Sequence, residues 1–267
     1  MTTKLFELRR LPHLSFSQIK TFLLCPRKYA LQYIHRVPPA FRPVALHFGS
    51  AWHTAIQTWL ANSAVGDEIG RDVVKHIFGE HLDRDIDTDD MPVLFNDEHD
   101  NVGKSIALGH RMIDAFLDSV PIPERVLGIE VPFSLELADS ATGEALPLPL
   151  IGAVDAVVEE NGKPVVWELK TSARRWSADQ FEFDAQATAY AQAMRTEGHD
   201  AVSVKMLITT KAAKPLVQTE TVSRTRRDER ELAQTAASVL RAIEAGVDHR
   251  VRSAACRSCA WAGACAA

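Results

Sequence analysis

Two carboxylates and an ammonium stand out in the second half of the chain: Asp155, Glu168 and Lys170. Between them, Asn161-Gly162 is a favoured two-residue hairpin turn, because both positions tolerate positive φ. That turn pairs Glu160 with Lys163, and counting back along both arms sets Asp155 opposite Glu168. Directly opposed residues hold their Cβ atoms roughly 4.5–5.5 Å apart. Carboxylates at that spacing suit one hard divalent cation, with oxygens at about 2.0–2.1 Å if it is Mg²⁺. Lys170 lies two residues beyond Glu168 on the same face of its strand, opposite the small Ala153. Such a group can hydrolyse a phosphodiester: the cation acidifies a water and stabilises developing phosphate charge. The lysine can orient that water or deprotonate it.

Glu-x-Lys on a strand is more often a surface ion pair. Here Val165, Val166, Trp167 and Leu169 make one arm apolar, as Val154, Val157 and Val158 make the other. Charges facing each other in so apolar a hairpin are costly unless a metal or partner neutralises them. Register is decisive here, because a one-residue slip would put the groups on opposite faces.

The flanking pattern supplies elements to hold such a hairpin. Ser15 and Gln18 form a capping-box pattern ahead of Phe16, Ile19, Phe22 and Leu23, and Pro26 breaks or restarts that helix. Helices are predicted over 48–61, 69–82, 103–119, 178–196 and 227–245. Strands are predicted over 126–137, 146–159, 164–170, 202–210 and 215–222. A helical N-terminal half followed by β-β-β-α-β predicts an α/β fold with a mixed sheet.

With these elements placed, several motifs resemble one family. Gly152-Ala153-Val154-Asp155 followed by Glu168-Leu169-Lys170 resembles the PD-(D/E)XK nuclease superfamily. Leu14-Ser15-Phe16-Ser17 through Cys25-Pro26-Arg27-Lys28-Tyr29 is similar to the opening motif of RecB-type nuclease domains. Gly49-Ser50-Ala51-Trp52-His53 is similar to their metal-binding histidine motif, and Gln186-x3-Tyr190 to their Gln-x-x-x-Tyr helix motif. Cys256-x2-Cys259-x5-Cys265 with the distant Cys25 is similar to the iron–sulfur subset, which includes AddB-type and CRISPR-associated exonucleases. The motifs run from about residue 14 to 265, and region 62–125 matches none of them.

The resemblance implies a restriction-endonuclease-like mixed β-sheet core flanked by helices. It implies that His53, Asp155 and Glu168 bind Mg²⁺ or Mn²⁺, with the backbone carbonyl of Leu169 as a further ligand. Lys170 would be the catalytic lysine, and Gln186 and Tyr190 would position DNA or organise the site. Each supporting residue also has a plainer reading. His53 sits beside a Trp52/Ile56/Trp59 stripe, Gln186 and Tyr190 are spaced as a packing pair, and Glu130 is a surface residue or an accessory ligand.

The cysteines divide one and three: Cys25 stands 231 positions before Cys256. Zinc ribbons usually offer two close pairs, so this split suits a four-thiolate [4Fe-4S] cluster better, with structural zinc or free thiols as alternatives. A cluster here would staple the C-terminal tail to the N-terminal helix and convert metal binding into folding energy. Arg174, Arg175 and Trp176 directly follow the lysine strand and suit backbone phosphates and a stacked base.

Composition sets the outer limits. The chain has 267 residues, 46% apolar, with a net charge of −5, which is ordinary for a globular protein. Residues 80–100 hold nine acids and one base and are expected to form a solvated acidic loop. An EF-hand counted from Asp83 fails, because Thr88 and Leu94 replace its glycine and glutamate. No membrane span, signal-peptide core or Walker A pattern is visible, so a cytoplasmic protein that is not itself a helicase motor is expected.

The expected organisation is a helical region at 1–125 with the first cysteine and His53, a nuclease core at 126–245, and a cysteine module at 246–267. The expected activity is metal-dependent cleavage of DNA, with an exonuclease on single strands or ends favoured. Helicase or CRISPR-adaptation partners are implied, in repair, recombination or adaptation. The alternatives are a non-catalytic DNA-binding or scaffold subunit and a zinc-stapled module without this chemistry.

Overall fold

The Asn161-Gly162 turn forms as its residue types require, with left-handed φ of 51° and 69° in the computed structural model. Glu124 fixes it further by accepting hydrogen bonds from Asn161 N at 2.8 Å and Gly162 N at 3.4 Å. The structure describes residues 5–95, 100–199 and 203–266. The turn joins two long strands that follow the expected register, from Glu160↔Lys163 to Ala156↔Trp167.

Six strands form one mixed sheet: β1 (Leu14–Ser15), β2 (Arg125–Leu135), β3 (Leu150–Glu160), β4 (Lys163–Ser172), β5 (Ser203–Thr210) and β6 (Val217–Val222). The order is β1-β3-β4-β5-β6, with β2 also pairing β3. β4 is antiparallel to β3 and parallel to β5, and β6 returns antiparallel to β5. β1 adds a short parallel pairing, Leu14↔Leu150 and Ser15↔Ile151. β4 is therefore paired on both edges, which suits its valines and its tryptophan.

The chain falls into two compact units. One comprises Pro43–Val131 and Val154–Arg224. Here α2 (Val44–Ala64), α3 (Arg71–Asp87) and α4 (Val102–Ser119) bury a shared core with β3, β4 and β5. Phe48 lies edge-on to Phe78 at 5.1 Å, and Trp52 and Trp59 lie edge-on to Phe116 at 5.6 and 6.0 Å. Trp167 and Leu169, flanking Glu168 in sequence, belong to the same core. Each such buried side chain stabilises the fold by roughly 1.5–3 kcal/mol.

The second unit runs to Arg42, takes in Pro132–Ala153 and resumes at Thr225. The Ser15/Gln18 capping box is formed at the start of α1 (Phe16–Leu24), and Pro26 opens a new short helix after Cys25. α7 (Arg226–Glu244) follows later in the chain, capped by Thr225 and Asp228. Beyond it, the tail is tied to the N-terminal segment. Arg27 pairs with Asp248 at 2.6 Å, Ala40 N donates to Ala260 O at 2.8 Å, and Trp261 Nε1 donates to Val37 O at 2.7 Å.

Two expectations need correction. The helix expected over 178–196 is two helices, α5 (Ala178–Glu182) and α6 (Ala185–Thr196). The Asp184 side chain accepts from Ala187 N at 2.9 Å and starts α6 anew. The acidic segment is helical as far as Asp87 rather than a loop from residue 80. His81 and Arg84 pair with Asp85, at 3.0 and 3.7 Å, and offset the cost of acids at a helix C-terminus. Beyond that helix Asp89 pairs with His47 at 2.9 Å. Asp97 and Glu98 of the same segment lie outside the described residues. Among the described residues, no helix is long and apolar enough to cross a membrane.

Candidate functional site

Glu168 is 3% exposed, enclosed because β4 has strands on both edges and a helical layer beside it. Its Oε1 accepts from Lys170 Nζ at 2.6 Å, while its Oε2 is buried without a hydrogen-bond partner. Burial, and then the charge of Asp155, push the Glu168 carboxyl up to about 8. Asp155, on the facing arm, is treated differently. Burial would raise it, but pairing with His53 and a hydrogen bond from Leu169 N hold it below the usual carboxylate value. His53 Nδ1 lies 3.4 Å from Asp155 Oδ1, and Leu169 N donates to Asp155 Oδ2 at 2.8 Å. His53 reaches this point from α2, whose Trp52, Ala55 and Ile56 are fixed in the core.

Burial alone would depress both nitrogen bases of the site, yet both are raised. The charges of Asp155 and Glu168 raise His53, and those of Glu168 and Asp184 raise Lys170. Lys170 Nζ also donates to Gln186 Oε1 at 2.7 Å, and Gln186 Nε2 donates to Tyr190 OH at 2.6 Å. Gln186 and Tyr190 thus share one face of α6 and form a chain of hydrogen bonds to the lysine. Tyr190 is 3% exposed, and burial followed by the Glu168 charge raises its phenol well above the ordinary value.

Six residues singled out in the sequence therefore converge: His53, Asp155, Glu168, Lys170, Gln186 and Tyr190. Leu169 contributes its N–H to Asp155, and its side chain is core. Glu130 is exposed at a left-handed kink in β2, with φ of 49°. Asp184 is a site residue that sequence reasoning misses. Its charge acts on Lys170 and its cap sets the start of the helix carrying Gln186. An aspartate three residues before an amide of an alanine-rich helix is a readable N-cap signal.

The set suits a divalent cation. Two carboxylates share a buried place, one keeps an oxygen without a donor, and a histidine nitrogen stands beside the other. Among the described residues no three His, Cys, Asp or Glu side chains already converge as a coordination shell for a single ion.

Arg174 and Arg175 are exposed on the segment after β4. Trp176 is half-buried: its ring packs on Phe181 at 5.3 Å, and Lys170 Nζ lies 5.7 Å from its centroid. Gln218 brackets its backbone, accepting from Trp176 N at 2.7 Å and donating to Trp176 O at 3.1 Å. In the other unit, Cys25, Cys256, Cys259 and Cys265 are free thiols lining one cavity of about 410 Å³. Lys28, Arg250 and Arg252 line it too.

A family model for the PD-(D/E)XK nuclease superfamily matches residues 13–266. The chain belongs to the PD-(D/E)XK nuclease superfamily. Its mixed sheet flanked by helices is the restriction-endonuclease-like fold of that superfamily. The crystal structure of a "Putative exonuclease" from Eubacterium rectale shares this fold, with a TM-score of 0.53 and 14% identity over 92% of this chain and 87% of that one. A second solved structure, that of SSO0001, aligns at a TM-score of 0.39 and 14% identity over 92% of both chains. No curated protein matches the sequence. Asp155, Glu168 and Lys170 lie within the matched residues.

Proposed function

We propose that the protein is a Mg²⁺- or Mn²⁺-dependent deoxyribonuclease of the RecB-like type, an exonuclease acting on single strands or DNA ends. The observation that carries this reading is the buried Asp155/Glu168 pair, with the unpartnered Glu168 Oε2 beside Lys170. His53, Asp155 and Glu168 would hold the cation, with the Leu169 carbonyl as a further ligand. The cation would supply charge stabilisation of the phosphate and acidify a water.

The protein's own groups do the rest. Lys170, donating to Glu168 and Gln186, would orient the attacking water and neutralise phosphate charge. Gln186, anchored on Tyr190, fixes where that ammonium points. Arg174 and Arg175, exposed after β4, would meet backbone phosphates.

The test is digestion of end-labelled single- and double-stranded DNA with Mg²⁺, Mn²⁺ or EDTA, beside Lys170→Ala. Cleavage that needs metal and is lost in the variant is expected. DNA binding without cleavage in either metal would refute the reading and leave a scaffold subunit.

The four cysteines are proposed to hold a [4Fe-4S] cluster that staples the tail to the N-terminal segment. The supporting observation is that all four thiols line one cavity of about 410 Å³. Lys28, Arg250 and Arg252 suit the net negative charge of a four-thiolate cluster. Anaerobically purified protein should be brown with about four irons per chain; colourless protein with one zinc would overturn this. Work with a helicase or CRISPR-adaptation proteins, in a cytoplasmic repair, recombination or adaptation role, belongs to the same proposal.

A further inference from the structure

Beside the tryptophan that the sequence singles out, the structure presents a second and more exposed aromatic ring. Trp176 is half-buried against Phe181, and its backbone is locked to Gln218. It is a wall of the site. Phe183, two residues beyond Phe181, is 74% exposed, the most exposed aromatic ring among the described residues.

A single exposed phenylalanine needs no explanation by itself. The connector that carries this one is held unusually firmly for a surface turn. Arg224 Nη2 donates to Phe181 O at 2.7 Å and to Asp184 O at 3.3 Å, spanning the connector. Phe183 N donates to Asp179 O at 2.9 Å, closing α5, and the Asp184 side chain caps α6. The backbone is therefore fixed on both sides of a ring left to solvent. Fixing the backbone in advance lowers the entropy cost of using that ring to bind.

In the chain it adjoins residues that act on Lys170. Asp184, the adjacent residue, acts electrostatically on Lys170, and Gln186, three residues on, accepts a hydrogen bond from Lys170. Exposed Arg174 and Arg175 provide phosphate-binding charge on the segment leading to Trp176. A firmly held, exposed ring in a unit that also carries exposed Arg174 and Arg175 has the composition of a platform for single-stranded nucleic acid.

We propose that Phe183 stacks on one unpaired nucleobase of the substrate, positioning the strand at Lys170 and favouring single strands over duplex. The inference rests on the nuclease reading above. In a duplex the bases are already stacked on one another, so the ring gains little there.

The test uses the full chain and a labelled single-stranded oligonucleotide, with binding followed by anisotropy in EDTA so that no cleavage intervenes. An abasic site is stepped along the strand one nucleotide at a time. Wild-type protein should lose about 10-fold in affinity at one position. Phe183→Ala should lose about the same with intact DNA and show no further loss at that position. Phe183→Trp should restore both the affinity and the positional effect, and duplex binding should be equal in all three. A positional effect that persists in Phe183→Ala, or affinity for single strands unchanged by it, overturns the proposal while wild-type cleavage still stands. Wild-type protein that neither binds nor cleaves DNA brings down the nuclease reading and the stacking with it.

Discussion

Glu168→Gln isolates the electrostatic cost of the site. The Glu168 carboxyl moves from an ordinary 4.5 to about 8 on folding, driven first by burial and then by Asp155. Without metal, the folded state holds the Glu168 proton more tightly than the unfolded state does. Stability therefore falls as pH rises through the window from 4.5 to about 8. A tenfold change in proton affinity is worth about 1.4 kcal/mol, so the full loss is on the order of 5 kcal/mol at the alkaline end. His53, also raised, acts in the same direction: its stabilisation is present below 6.5 and is lost as pH rises through its higher folded value. Asp155, lowered from 3.8, contributes a constant amount across this window. Glutamine keeps the shape of Glu168 without the ionisation. Urea unfolding in EDTA at pH 5, 6, 7 and 8 should show wild-type stability falling relative to Glu168→Gln, with the variant the more stable by several kcal/mol at pH 8. Saturating Mn²⁺ should remove most of that difference by stabilising the wild type alone. A wild-type-minus-variant difference that is flat or rises with pH in EDTA would refute the reasoning.

Two further outcomes follow from the geometry. Gln186→Leu removes one of the two hydrogen bonds that aim the Lys170 ammonium, so kcat should fall about 10-fold while KM for DNA stays near wild type; a KM effect alone would make Gln186 a DNA contact. Gly109→Ala places a methyl 2.0 Å from Phe78 Cε1, a fully buried ring edge-on to Phe48, and should destabilise by about 1–3 kcal/mol in urea unfolding.

The centre of the site is legible in the sequence because its register is set locally. Asn161-Gly162 points to the pairing, which the packed strands then hold, and alternation carries Asp155 and Glu168 to one another. The same reasoning cannot find β1, since two residues are too short to show a period. It also merges α5 with α6, because the apolar spacing continues through the break and only the capping role of Asp184 marks it. The acidic helix end is hidden for a different reason. Acids at a C-terminus oppose the helix dipole, and the pairing of Asp85 with both His81 and Arg84 that offsets this is made only once the helix is wound. Which aromatic is offered to solvent is beyond any pattern, because Trp176 and Phe183 differ in burial by tertiary packing and not by residue type or spacing.

The left-handed turn between β3 and β4 has a consequence for how this gene can tolerate insertions. An extra residue at the exposed tip between Asn161 and Gly162 only enlarges a loop, and both strands keep their partners. The same residue placed between Val166 and Trp167 reverses the parity of everything after it. Glu168 and Lys170 would then exchange faces with Trp167 and Leu169, putting charges into the aromatic core and an indole on the face of Asp155. Length variation should therefore be permitted at the tip of the hairpin and ruinous a short way along the same strand, although no catalytic atom has been altered in either case.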